Sequence, residues 1–124
     1  MPSASNILLY VADPKVSAAF YERVLGRSSV EASPTFALVP LGADLMLGLW
    51  KRDGVEPAPE GLPGGAEIGF KLADAEAVDA AFAAWRDKGA AIALPPTDLD
   101  FGRSFVALDP DGHRLRFYAL GEAG

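Results

Sequence analysis

The sequence predicts an α+β protein in which one structural unit, a strand, a helix and three further strands, is used twice. Three observations carry this. Two helical stretches open on the same Ala-Asp pair, Ala12-Asp13 and Ala73-Asp74, and close on a glycine, Gly26 and Gly89. Inside them Ala18-Ala19-Phe20 matches Ala80-Ala81-Phe82, a correspondence that marks an internal repeat. Between the copies, Lys51 to Gly65 holds four glycines and three prolines among few apolar residues, so it reads as a loop dividing the halves. The 124 residues then form a single domain of two βαβββ modules, about 1–62 and 63–124.

Residues 6–11 alternate as a first strand, with Ile7, Leu9 and Val11 on one side and Asn6, Leu8 and Tyr10 on the other. Asp13 offers a cap to the first helical amides, and Pro14 stands where its missing N–H costs nothing. Val16, Phe20 and Val24, flanked by Tyr21 and Leu25, make an apolar stripe at helical spacing, which Gly26 ends. Short strands are expected near 28–32, 35–39 and 44–50. In the second of these the inward side is either Phe36 with Leu38 or Thr35 with Ala37 and Val39; both sets fit. The pattern restarts at Glu67–Leu72, a strand with Ile68, Phe70 and Leu72 on one side. A helix from Asp74 follows, with Val78, Ala81, Phe82 and Trp85 on one stripe. Lys88-Gly89 ends it, a short strand covers 91–94, and a hairpin closes the chain. Its turn, Asp109-Pro110-Asp111-Gly112, is built from a side-chain acceptor, a fixed φ and a residue free to take positive φ. Beyond it Leu115 and Phe117 point one way, and Arg114, Arg116 and Tyr118 the other. One helix per module covers only one side of each sheet, so the other sides must curl around something or pair with another chain.

Composition narrows the function. Half the residues are apolar and 10% aromatic, as in a folded globular chain. No apolar run is long enough to span a bilayer, and the first residues lack the basic region and apolar core of a signal peptide. With no cysteine there is no disulfide, thiolate metal site or cysteine nucleophile, which fits a cytoplasmic protein. A net charge of −6 disfavours nucleic acid as a partner and mildly favours a cationic small molecule, though solubility alone accounts for it. There is no Gly-x-Ser-x-Gly elbow and no phosphate-binding loop. His113, the one histidine, follows a tight turn, and the sequence points to neither an orienting group nor a reacting group for a base, so turn or strand-edge packing is expected.

The chain resembles the vicinal oxygen chelate superfamily of glyoxalases, extradiol dioxygenases, fosfomycin-resistance enzymes and bleomycin-resistance proteins. Val11-Ala-Asp13, Ser17 with Phe20-Tyr21, Leu25-Gly26 and Leu108-Asp-Pro-Asp-Gly-His-Arg-Leu115 carry the likeness, which spans essentially the whole length. It implies the glyoxalase/bleomycin-resistance fold, paired modules whose mixed sheets form a cupped cleft. That cleft holds a divalent metal in the enzymes and an aromatic drug in the antibiotic-binding branch. In the enzymes His, Gln or Glu on the first and last strands of each module hold the metal. Here those positions carry Asn6, Met46 or Gly48, Glu67 and Arg116. One acceptable ligand beside a permanent cation does not make a metal site, so neither metal nor cofactor is expected. Leu49-Trp50, Ala66-Glu-Ile-Gly69, Val78-Asp79, Ala84-Trp85, Thr97-Asp98 and Phe101-Gly-Arg103 bring the chain nearer to the phenazine-resistance proteins of that branch.

The resulting expectation is a metal-independent binding protein that sequesters a planar aromatic, antibiotic-like molecule, works as a homodimer and carries no catalytic residues. The ligand-binding residues would be Trp50, Tyr10, Glu67, Ser104, Arg116, Tyr118, Arg103 and Leu8. Trp50 is either a stacking platform or an edge indole packed on the loop or a partner chain. Glu67 and Arg116 are either an ion pair, the arginine standing in for the metal's charge, or two separately solvated groups. Arg103 either attracts a ligand carboxylate or decorates a strand edge; Ser104 shares its side of the strand with Val106. Tyr10 and Tyr118 can stack or donate a hydrogen bond, and Leu8 supplies apolar wall. Trp85 lies on a helix stripe and is assigned to the core with Phe20, Phe70, Phe82 and Phe117. Two further readings are a lyase, dioxygenase or isomerase of the same fold, with or without metal, and a module that binds a protein partner.

Overall fold

A computed structural model of the chain describes residues 3–121. Its elements are β1 (Asn6–Val11), α1 (Pro14–Leu25), β2 (Glu31–Ala32), β3 (Phe36–Pro40), β4 (Met46–Lys51), β5 (Glu67–Lys71), α2 (Ala75–Asp87), β6 (Ala91–Leu99), β7 (Gly102–Leu108) and β8 (Arg114–Leu120). They fall into two compact units, Met1–Leu62 and Pro63–Gly124. Each unit is a four-stranded mixed sheet with one helix, ordered β1-β4-β3-β2 in the first and β5-β8-β7-β6 in the second. In both, the opening strand runs parallel to the last, and the remaining neighbours are antiparallel. This is the α+β strand–helix–three-strand unit, twice.

The helices start and stop where their end residues dictate. Asp13 takes the Lys15 amide at 3.0 Å, Pro14 opens α1, and Gly26 closes it at φ 69° with its N–H on the Glu22 carbonyl. Asp74 takes the Ala77 amide at 2.8 Å, and the turn after α2 passes through Gly89 at φ 89°. Each acidic cap stabilises its helix by about 1 kcal/mol. The buried side of α1 is Ser17, Ala18, Phe20, Tyr21 and Val24. Val16, assigned to the apolar stripe from its spacing, is 53% exposed, because the stripe is centred one position later than the valines suggest.

In the first unit that helix side covers Val11, Ala37, Val39, Leu47 and Leu49, each buried. The strand with two possible faces is therefore settled: Ala37 and Val39 point to the helix, while Phe36 and Leu38 point away. In the second unit the core is a ladder of rings. Phe70, Phe117 and Phe105 are cross-strand neighbours on β5, β8 and β7, stacked at 4.8 Å between successive centroids. Trp85 of α2 meets Phe117 edge-on at 4.5 Å, and Phe82 meets Phe105 at 5.6 Å. Burying each such ring stabilises the fold by roughly 1.5–3 kcal/mol.

The strand expected at 91–94 runs on to Leu99. Pro95-Pro96 argues against a strand, but β6 is an edge strand and its pairing with β7 slips twice, between Ile92 and Leu94 and between Leu94 and Thr97. Prolines are tolerated at an edge, where irregular pairing frees their missing donor. In the closing hairpin Asp109 Oδ1 accepts from the amides of Asp111 and His113, both at 2.9 Å, and Gly112 has φ 93°. Gly102 before it is obligatory: at φ 145° any Cβ would collide with the Ala119 carbonyl.

Candidate functional site

Each sheet has one side under its helix and one side free of it, and the two free sides differ in chemistry. On the second sheet the register aligns Glu67 with Arg114, Gly69 with Arg116 and Lys71 with Tyr118. It also places Ser104 beside Tyr118 and Val106 beside Arg116. The Arg116 guanidinium grips Glu67 with both arms, Nε to Oε1 at 2.7 Å and Nη2 to Oε2 at 3.0 Å. Its third nitrogen, Nη1, donates to the buried Ser104 hydroxyl at 3.0 Å. Arg114 adds a second cation on Glu67, Nη2 to Oε2 at 2.7 Å. Gly69 presents no side chain beside Arg116, and a Cβ there would meet only the Tyr118 ring, at 3.5 Å.

Those contacts set the protonation of the carboxylate. The hydrogen bonds from Arg116 hold Glu67 below the ordinary glutamate range; partial burial opposes them, and the charges of Arg116 and Arg114 add to the lowering. Glu67 is therefore ionised at neutral pH and accepts hydrogen bonds without donating any. Held by two guanidiniums at a lowered pKa, the carboxylate is a weakened proton acceptor that keeps both arginines in place.

On the first sheet the two rows at the centre of the free side are apolar. Tyr10, Trp50 and Phe36 form one cross-strand row, and Leu8, Gly48 and Leu38 the next. Tyr10 and Trp50 meet edge-to-face with centroids 6.4 Å apart. The row closes over Gly48: a Cβ there would run into Leu8 Cδ2 and come within 3.2 Å of the Phe36 ring. Leu8 remains 40% exposed. Trp50 leads into a short turn, Arg52–Gly54, and Arg52 Nη2 holds the following loop by the Gly61 carbonyl at 2.9 Å.

Within the first unit the structure brings together Leu8, Tyr10 and Trp50. Within the second it brings together Glu67, Ser104, Arg116 and Tyr118, and the ion-pair reading of Glu67 and Arg116 is the one realised. Arg103 is not among them. It shares the helix side with Phe105, where Nε reaches Asp79 of α2 at 2.7 Å and Nη1 reaches Asp98 at 3.0 Å. Both acids answer its charge, so it fastens α2 to the sheet. Sequence reasoning left Phe36 with Leu38 as one of two possible faces of β3, because apolar residues on both sides made them look alike. It passed over Arg114, whose parity with Arg116 was the available signal.

The metal positions named by the resemblance can now be tested against geometry. Both oxygens of Glu67 are held by guanidiniums, and Arg116 occupies the register position opposite Gly69 where a carboxylate ligand would stand. A divalent ion would have to displace two permanent cations from its one hard ligand. Among the described residues, no three His, Cys, Asp or Glu side chains gather to hold an ion. The residues present do not fit a resident metal.

Comparison with known proteins agrees with this fold. The sequence profile of the Glyoxalase/Bleomycin resistance protein/Dioxygenase superfamily matches residues 4–117. The phenazine antibiotic resistance protein EhpR of Enterobacter agglomerans is 34% identical over 117 residues, covering 91% of this chain and 88% of that protein. A solution structure of an Agrobacterium tumefaciens protein superposes with a TM-score of 0.86 at 42% identity, covering 98% and 99% of the two chains. A crystal structure of a glyoxalase/bleomycin resistance protein/dioxygenase from Nocardioides superposes with a TM-score of 0.84 at 26% identity, covering 100% and 87%. No helix among the described residues is long and apolar enough to cross a membrane.

Proposed function

Because this chain belongs to the glyoxalase/bleomycin resistance protein/dioxygenase superfamily, and one of its sheets bares a row of aromatic rings, we propose that it binds a planar aromatic small molecule without a metal. The observation that carries this is the row Tyr10–Trp50–Phe36 beside Leu8 and Leu38, on the side of the sheet that has no helix. Rings in that setting offer large contact area at little entropic cost, and flat molecules stack on them. The relative named for phenazine resistance supports the ligand class and a protective role. Binding alone suffices for protection: the protein lowers the free concentration of a toxic compound while it is in excess over it. On this reading Glu67, Arg116, Ser104 and Tyr118 present the polar groups of ligand recognition, and the working form is a cytoplasmic homodimer, checked by sedimentation and fractionation.

Tryptophan fluorescence tests it, since the chain has two tryptophans and Trp85, on the covered side of α2, is buried. Titration with phenazine should quench the Trp50 emission and raise the melting temperature, with or without EDTA. Trp50→Ala should weaken binding by roughly ten- to a hundredfold, the loss expected when an aromatic anchor is removed. Undiminished binding by Trp50→Ala, or no binding of flat aromatics by the unaltered chain, would overturn the reading.

A further inference from the structure

The loop that leaves the aromatic row of the first unit is fastened by a single side chain. The turn Arg52–Gly54 begins two residues beyond Trp50, and Val55 after it is buried. From there the chain runs Glu56-Pro-Ala-Pro-Glu-Gly61, with neither helix nor strand. Its prolines bring no N–H, and among the described residues no backbone–backbone hydrogen bond involves residues 56–61. Arg52 supplies the tie instead: Nη2 donates to the Gly61 carbonyl at 2.9 Å and to the Pro59 carbonyl at 3.4 Å. Asp53, Glu56 and Glu60 are carboxylates of the same loop, yet among the described residues none forms an ion pair with it. A guanidinium that spends its donors on carbonyls closes a loop rather than neutralising an acid. The same turn touches the ring row. Gly54 lies against the indole, where a Cβ would stand 3.9 Å from Trp50 Nε1, and Tyr10 meets the ring edge-on from β1 at 6.4 Å. Trp50 is only half-buried, so its tilt depends on what stands at its edges.

We infer that Arg52 is a positioning residue for the ring row. By tying the far end of the loop back to the turn, it holds Gly54 against the indole and keeps Trp50 at the tilt on which a flat ligand stacks. A ring fixed before binding leaves less to be ordered when the ligand arrives. Arg52 therefore acts on affinity through Trp50, without touching the ligand. The inference rests on the flat-ligand reading and adds to it what sets the ring.

The test takes the full chain with Arg52→Met, which keeps the stem without its donors, and Arg52→Lys, which keeps a charged donor. Thermal melts establish that both fold, and endoproteinase Glu-C reports the loop through its cut after Glu60. Cutting tracks the open population, so Arg52→Met should be cut there about tenfold faster, the loss expected of one hydrogen bond from a charged donor. Acrylamide should quench its tryptophan emission more strongly; Trp85 is buried, so the change reports Trp50. Phenazine should bind Arg52→Met about fivefold more weakly by calorimetry, and Arg52→Lys should recover part of each change. In a Trp50→Phe background, which lacks the indole edge that Gly54 abuts, Arg52→Met should weaken binding by less than about twofold. Unchanged cutting or unchanged quenching in Arg52→Met overturns the inference, whatever the ligand. Faster cutting with unaltered phenazine affinity, or a full loss persisting in the Trp50→Phe background, overturns the positioning role and leaves the flat-ligand reading standing. No phenazine binding by the unaltered chain overturns that reading, and the inference with it.

Discussion

The two modules share one design on the side their helices cover and part company on the other. Under the helices, Val11, Leu47 and Leu49 in the first and Phe105, Leu115 and Phe117 in the second do the same work of burying the sheet. On the free side, corresponding positions exchange chemistry. Where the first sheet has Leu8 beside Gly48, the second has Gly69 beside Arg116; where the first has Phe36 beside Trp50, the second has Ser104 beside Tyr118. Each middle row pairs a glycine with one long side chain, but the glycine has changed strands and the long residue has changed from leucine to arginine; only Gly48 is crowded by its neighbour. A repeat can preserve its fold through the buried alternation alone, which leaves the other parity open to specialise, one sheet for rings and the other for charge.

The sharpest way to break the comparison is through the side the modules have in common. Phe117→Ala removes a ring held between Phe70 and Phe105 and under Trp85, and should destabilise the protein by about 3–5 kcal/mol in chemical denaturation. Leu49→Ala, fully buried in the first module, should cost about 2–5 kcal/mol. If either substitution costs under 1 kcal/mol, the covered sides are not equivalent supports.

A smaller effect separates the free sides. Gly48→Ala must push aside Leu8 and crowd the Phe36 ring, and should cost about 1–3 kcal/mol while weakening ligand binding. Gly69→Ala meets only Tyr118 Cε1, at an ordinary 3.5 Å. Its φ is not positive, so removing a flexible glycine from a strand should be neutral or stabilising by up to about 1 kcal/mol. Opposite signs in paired thermal melts are the expected outcome. Two equal losses would mean that the glycines play the same part.

How much of this was legible beforehand follows from the same division. The buried sides were readable because hydrophobic periodicity, acidic caps and terminal glycines are local signals, and both helices and the closing turn lie where those signals put them. The pairing of Glu67 with Arg116 was legible as parity on neighbouring strands, though the hold on Ser104 needed coordinates. Arg103 was not legible. Its strand parity was clear, but only the packing of α2 shows that Asp79 stands ready to meet it. The choice between Phe36 with Leu38 and Ala37 with Val39 stayed open because apolar residues on both sides of a strand erase the alternation that identifies a face. The continuation of β6 from residue 94 to Leu99 escaped because two prolines resemble a stop, and the slipped edge pairing that accommodates them depends on the neighbouring strand.

The smallest expected effect isolates the charged side. Glu67 has its carboxylate pKa lowered in the fold, first by the Arg116 hydrogen bonds. A group whose pKa is lower folded than unfolded binds its proton more tightly in the unfolded chain. Its contribution is therefore fully present above the ordinary glutamate value and is lost as pH falls through the folded one. Denaturation curves at pH 7 and in the acid range below 4.5 should show this loss in the unaltered protein. Glu67→Gln should cost about 1 kcal/mol or less at pH 7, since the pair is partly solvated, and should flatten the acid limb of the profile. Asn6, at the corresponding position of the first module, has no carboxylate to titrate, so Asn6→Ala should leave that limb unchanged. An acid limb that survives in Glu67→Gln would assign the pH dependence elsewhere and reduce the Glu67–Arg116 grip to a geometric contact with no part in setting stability.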